Sequence, residues 1–126
     1  MAHPDTPSPG GRQRIQAYGG GGFRVSGQRI EGSVLVFADH ADAWPARSID
    51  DIAVAEIDRL VADAAAGTLV VIGCGAHFEP MPRPLREALA AAGINAEWMA
   101  TGAACRTFNL LAGEARAVCA ALLAVE

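Results

Sequence analysis

The 126-residue chain contains no lysine: all ten of its basic residues are arginines. This absence removes the chemistries that need an ε-amine, namely a Schiff base, a pyridoxal phosphate anchor and the phosphate clamp of a P-loop. Positive charge is scarce altogether. Ten arginines stand against fourteen acidic residues, for a formal charge of −4, and this balance does not suit the counterion release that drives nucleic-acid binding, so no nucleic-acid partner is expected. Cysteine is sparse as well. Cys74, Cys105 and Cys119 form an odd set, without the dense spacing of a secreted disulfide scaffold or a Cys-x-x-Cys zinc pair, which predicts a reducing, cytoplasmic setting. Long apolar runs are lacking too: residues 34–37 and 69–72 fall far short of the roughly 20 residues a spanning helix needs, and no transmembrane segment is expected.

What is present reads as one folded unit. With 52% hydrophobic and 19% charged residues, a chain of this length buries roughly two-thirds of its unfolded surface. Residues 1–11 carry three prolines and two glycines and no apolar signal-peptide core. They are expected to form a disordered tail, leaving 12–126 as a single domain.

Beyond the tail, short extended segments at 15–18, 23–26 and 29–30 are separated by the four glycines 19–22 and by Gly27, predicting three antiparallel strands joined by two turns. No helix follows the glycine run, so it reads as a hairpin turn and not as a phosphate loop. The β-branched and aromatic run 33–38 predicts a strand covered on both faces. Asp39-His40-Ala41-Asp42 reads as a solvated loop, His40 being at most a metal half-site without a second set of ligands. Val54, Ile57, Leu60, Val61 and Ala64 recur at spacings of three and four, predicting an amphipathic helix over 54–66 that Gly67 ends. A strand at 68–72, a proline-punctuated loop, a helix at 85–92 closed by Gly93 and a strand at 94–99 follow. A final helical region is expected from Thr101 to about Val125, interrupted at Gly113. Strands alternating with helices need parallel pairing. The expected fold is therefore a three-layer α/β domain with a central mixed β-sheet, an antiparallel N-terminal β portion and a C-terminal βαβα unit.

Chemistry is harder to locate. Gly73-Cys74-Gly75 follows a strand but lacks the third glycine and the immediate helix of a dinucleotide fingerprint, and no cofactor is expected. The sequence shows no Ser-His-Asp order and no His-Glu-x-x-His, so no catalytic or metal residue is assigned. Topology gives a more general pointer, since the carboxyl ends of the parallel strands 68–72 and 94–99 point the same way and ligands favour the crevice outside such ends. The candidate crevice comprises Gly73, Cys74, Gly75, Thr101, Gly102, Cys105, Arg106 and Asn109. Thr101 as an N-cap, the free amides after it and Arg106 would suit a small anion. Cys105 reads either as a thiol activated by the helix N-terminus and Arg106 or as a small packed hydrophobe. Cys119 reads as core. Asn109 is expected to satisfy backbone groups freed at the Gly113 break.

The segment Glu97-Trp98-Met99-Ala100-Thr101-Gly102-Ala103-Ala104-Cys105-Arg106-Thr107-Phe108-Asn109-Leu110-Leu111, with Glu114-Ala115-Arg116 after it, carries a specific pattern. Together with Phe23 to Val25, Gly32-Ser33, Trp44 and Gly73 to Gly75, it resembles the small domain-of-unknown-function family that includes the mitochondrial NADH:ubiquinone oxidoreductase (complex I) assembly factor 3 and bacterial and archaeal stand-alone proteins. The resemblance implies a three-layer α/β fold with a mixed central sheet and a non-enzymatic, assembly-factor-like role with an unidentified protein partner. It implies no reaction. Ala100 stands where an acidic residue often precedes the threonine, and Cys74 where threonine or serine is frequent. The alternative reading is a small-molecule or anion-binding domain using the crevice, with thiol chemistry at Cys105. Homo-oligomerisation through the alanine-rich helices stays open.

Overall fold

The N-terminal strands β1 (Ile15–Gly19), β2 (Gly22–Val25) and β3 (Gln28–Glu31) pair antiparallel in the order β1-β2-β3. The computed structural model describes residues 12–126, so the expected tail at 1–11 lies outside the described residues. The glycine run makes the first hairpin: Gly20 and Gly21 have φ of +62° and +80°, the pair of left-handed residues that a two-residue turn needs to match strand twist.

A second sheet holds β4 (Ser33–Val36), β5 (Ala41–Trp44), β6 (Leu69–Gly73), β7 (Asn95–Met99) and β8 (Val118–Leu122) in the order β5-β4-β8-β6-β7. It is mixed: β4 runs antiparallel to β5 and β8, while β6 runs parallel to β7 and β8. Three helices pack on it, α1 (Val54–Val61), α2 (Arg83–Ala91) and α3 (Thr101–Gly113). Strand alternation divides the core into two faces. Leu35, Val70, Ile72, Cys119 and Ala121 pack with Ile57 and Leu60 of α1 and Leu85 and Leu89 of α2. Val34, Val36, Val71, Ala120 and Leu122 pack with Ala104, Cys105 and Phe108 of α3 and with Phe23 and Val25 of the small sheet. The expected three-layer α/β domain with a mixed central sheet is thus the observed one, and the small sheet shares an outer layer with α3.

The structure departs from expectation at both ends of the sheet sequence. The final helical region does not run to Val125: α3 stops at Gly113, Ala115 takes a left-handed φ of +59°, and residues 118–122 form β8 at the sheet's centre. Alanine favours helix in isolation, but every residue of β8 is buried, and two-sided burial in a sheet overrides that preference. Residues 41 and 42, expected in a solvated loop, instead begin the edge strand β5, where Asp42 is half-buried and pairs with Arg59 of α1. The first helix is also shorter than expected, ending at Val61 and not Ala66.

The β6-α2-β7 connection leaves β6 on one face of the sheet, and the β7-α3-β8 connection leaves β7 on the other. The direction of the chain across the sheet therefore switches between the carboxyl ends of the adjacent parallel strands β6 and β7, the position at which open α/β sheets present a crevice.

Candidate functional site

At this reversal the structure brings together the Gly73-Cys74-Gly75 loop and the start of α3. The Cys74 N–H donates to the Met99 carbonyl (2.8 Å), and the Thr101 N–H donates to the Gly75 carbonyl (2.9 Å). Thr101 Oγ1 accepts from the Gly75 N–H (3.0 Å) and donates to the Leu123 carbonyl (2.8 Å). The Leu123 N–H in turn donates to the Gly73 carbonyl (3.0 Å). One buried hydroxyl thus ties three chain segments across the carboxyl ends of β6 and β8.

This network fills the space it encloses. Thr101 is fully buried and Cys74 and Cys105 nearly so. A Cβ on Gly73 would stand 2.9 Å from both Thr101 Cα and Oγ1, so glycine there permits the close approach of α3 to the strand end. Thr101 is not the N-cap. Ala100 holds that position with extended backbone, and Thr101 is the first helical residue, its hydroxyl turned into the sheet end and away from the helix amides.

The remaining predicted residues lie around this plug. Gly102 faces the small sheet: a Cβ there would lie 2.5 Å from the Tyr18 hydroxyl and 3.5 Å from an Arg106 guanidinium nitrogen. Arg106 is exposed and stands with Tyr18 over the first turn of α3. Tyr18 was not among the residues expected here; its only sequence signal is being the one tyrosine, placed beside the glycine turn. Leu123, the residue after β8, carries no signal of its own because the segment before it reads as helix. Asn109 sits two turns further on and does not serve the Gly113 break. Its Nδ2 donates to the Ile15 carbonyl (2.8 Å) and its Oδ1 accepts from the Ile15 N–H (2.8 Å), a two-point clamp that docks β1 on α3.

Electrostatics bear on the two readings of Cys105. Burial pushes the thiol up to about 12, outweighing the Arg106 guanidinium, which acts in the opposite direction. Of the two readings, burial favours the small packed hydrophobe over the activated thiolate, since the neighbouring charge does not compensate for removal from water. Cys119, at the core position expected, is likewise pushed up by burial.

His40 is held in a cross-linked turn. Its Nδ1 lies 2.7 Å from Asp39 and its Nε2 3.6 Å from Asp42, and its ring stacks on Phe37 at 4.2 Å. The His40 hydrogen bond holds the Asp39 carboxyl below its usual range. Arg59 bonds Asp42 at 2.6 Å and lies over Phe37. Among the described residues, no group of three or more His, Cys, Asp or Glu is placed to hold a metal ion.

A larger depression, of about 640 Å³, opens at the same end of the sheet but over β4 and β5, lined by Gly32, Ser33, Trp44, Arg47 and Ala124 among others. None of the eight predicted crevice residues lines it. Among the described residues no helix is long and apolar enough to cross a membrane.

Mixed five-stranded sheet, small antiparallel sheet and a threonine-sealed switch point define the class as a three-layer α/β domain with an appended N-terminal hairpin layer. The family described as "Protein of unknown function (DUF498/DUF598)" matches residues 15–123, and the chain belongs to it. An uncharacterized protein of Rhodobacter capsulatus is 38% identical over 120 residues, covering 95% of this chain and 91% of that one. The NADH dehydrogenase [ubiquinone] 1 alpha subcomplex assembly factor 3 of Danio rerio is 31% identical over 109 residues, covering 86% of this chain and 63% of that one. The chain thus spans less than two thirds of that relative. Among solved structures, one described as an outer membrane protein from Bartonella henselae matches with a TM-score of 0.80 and 35% identity, covering 92% of this chain and 98% of that one.

Proposed function

We propose that the chain is a cytoplasmic, non-enzymatic protein-binding factor that assists assembly of its cell's NADH dehydrogenase. The observation that carries this reading is the 31% identity, over 86% of the chain, to a protein named for assembly of that complex. The geometry supports it in a secondary way. The sheet end where such folds present ligands is packed by Thr101 and Leu123, and burial pushes the Cys105 thiol of α3 up. Three free, buried cysteines fit a reducing compartment.

The test is deletion of the gene in its own cell, followed by native-gel quantification of NADH dehydrogenase and measurement of membrane NADH oxidation. The expected result is less mature complex with accumulated subcomplexes, restored by the wild-type gene. Normal complex levels and activity in the deletion strain overturn the proposal. Cell fractionation that places the chain in the outer membrane overturns the cytoplasmic assignment.

A further inference from the structure

Away from the switch point, two neighbouring depressions form one groove between the segment leading into α1 and the loop leading into α2. The first, about 420 Å³, is lined by Arg47, Ser48, Asp50, Glu79 and Pro80 among others. The second, about 300 Å³, continues it between Ile49 and Val54 on one wall and Pro82, Leu85 and Ala88 on the other. Ile49, Asp50 and Pro82 line both. The first also shares Arg47 with the larger depression over β4 and β5, so the trough runs on past it.

Both walls are held in place before anything binds. On one, the Asp51 carboxylate accepts from the Arg47 N–H (2.9 Å) and the Ser48 N–H (3.3 Å), fixing the turn that presents Ile49 and Asp50. On the other, Pro80, Pro82 and Pro84 restrict the backbone, and Trp98 Nε1 donates to the Glu79 carbonyl (2.7 Å), pinning the loop to β7. A preformed groove spares the ordering cost of binding.

The chemistry of the groove is one-sided. Prolines bring carbonyl acceptors and no N–H donors. The exposed carboxylates of Asp50 and Glu79 add negative charge, against Arg47 alone. Further along the trough Glu31 is already paired with Arg29 at 2.7 Å. An occupant must therefore supply donors and positive charge toward Asp50 and Glu79, and apolar surface toward Ile49, Pro82 and Leu85.

We infer that this groove docks an extended segment of a partner polypeptide that carries arginine or lysine beside apolar residues. The inference deepens the protein-binding reading above and rests on it for its biological setting, while the binding itself is measured separately.

The test uses the full chain, labelled with nitrogen-15, and two capped pentapeptides of alternating leucine and arginine or leucine and glutamate. At low salt, the arginine peptide is expected to give saturable amide shifts at residues 47–50, 79 and 88, with affinity at least about fivefold above that of the glutamate peptide, the scale of two exposed ion pairs. Asp50→Lys combined with Glu79→Lys, both on the surface, is expected to reverse that order with the rest of the spectrum unchanged. No saturable shift up to millimolar concentration, shifts on another face, or equal or tighter binding of the glutamate peptide overturns the inference. So does a dimer in light scattering that the double variant dissociates, since the occupant is then a second copy. In the deletion strain, full rescue of NADH dehydrogenase by the double variant removes the groove's role and leaves the assembly reading intact. A deletion without effect removes the assembly reading and leaves the peptide titration to decide the groove.

Discussion

At Thr101 a single buried hydroxyl accepts from Gly75 and donates to Leu123, so an isosteric loss of the oxygen strands two backbone groups at once. Thr101→Val keeps the side-chain volume and is expected to cost about 2–4 kcal/mol in urea unfolding, since each buried group left unpaired costs roughly 1–3 kcal/mol. Thr101→Ser keeps the oxygen and loses one methyl, for about 1 kcal/mol. A valine variant as stable as the serine variant would show that the hydroxyl network does not hold the strand ends. Cys105 gives a second residue-scale outcome, in alkali. Its thiol stays neutral in the folded chain up to about 12, against an ordinary value of 9.0. Above pH 9 the unfolded chain releases this proton and the folded chain does not, so stability falls with rising pH by about 1.4 kcal/mol per unit from this group. Cys105→Ala is expected to flatten the stability profile by that slope between pH 9 and 12, whatever its packing cost at neutral pH. Iodoacetamide at pH 8 is expected to modify Cys105 in urea and to spare it in the folded chain. Rapid labelling of the folded protein would restore the activated-thiol reading.

Among the elements, legibility in the sequence follows how much of each element's environment is local. The hairpin of β1 and β2 could be read from four glycines, because its turn geometry is set by two residues with positive φ. β6, α2 and β7 could be read from apolar runs, Pro84 and Gly93, and their parallel pairing followed from the crossover. β8 could not. Val118, Cys119, Ala120 and Ala121 hold no polar face to give a period, and a short apolar run is ambiguous between strand and buried helix. What makes it a strand is its place between β4 and β6, which is non-local information. The same limit applies to the site: convergence of the two loops is deducible from topology, but the filling of their junction is not, because Leu123 supplies its carbonyl from just past β8, the segment that reads as helix. Asn109 was noticed as a polar residue on an apolar helix, while its partner, Ile15, lies 94 residues away in sequence. That clamp makes an element-scale prediction. Asn109→Ala is expected to lower stability by about 1–3 kcal/mol, the scale of two part-buried hydrogen bonds, and to raise hydrogen exchange at Ile15 far more than at Val71 in the central sheet. Equal effects at both amides would mean that β1 is not docked through Asn109.

For the whole molecule, the decisive fact is that the last strand in sequence lies at the centre of the sheet. β8 pairs with β4 on one side and β6 on the other, and its residues feed both cores, Ala120 and Leu122 into one and Cys119 and Ala121 into the other. Without it the five-stranded sheet falls into two unconnected ribbons, β5-β4 and β6-β7. Two-stranded ribbons are marginal in water, and neither core would keep its middle layer. The fold cannot therefore close until this segment is available, which makes its topology one of late, long-range pairing. A chain ending at Arg116 is expected to show no cooperative urea transition and to bind a hydrophobic dye. Adding a synthetic peptide of residues 117–126 is expected to restore a cooperative transition, because the missing strand carries the pairing and core contacts that join the halves. A cooperative transition in the shortened chain alone would mean that β4 and β6 find another way to associate, and the central role given to β8 would be wrong.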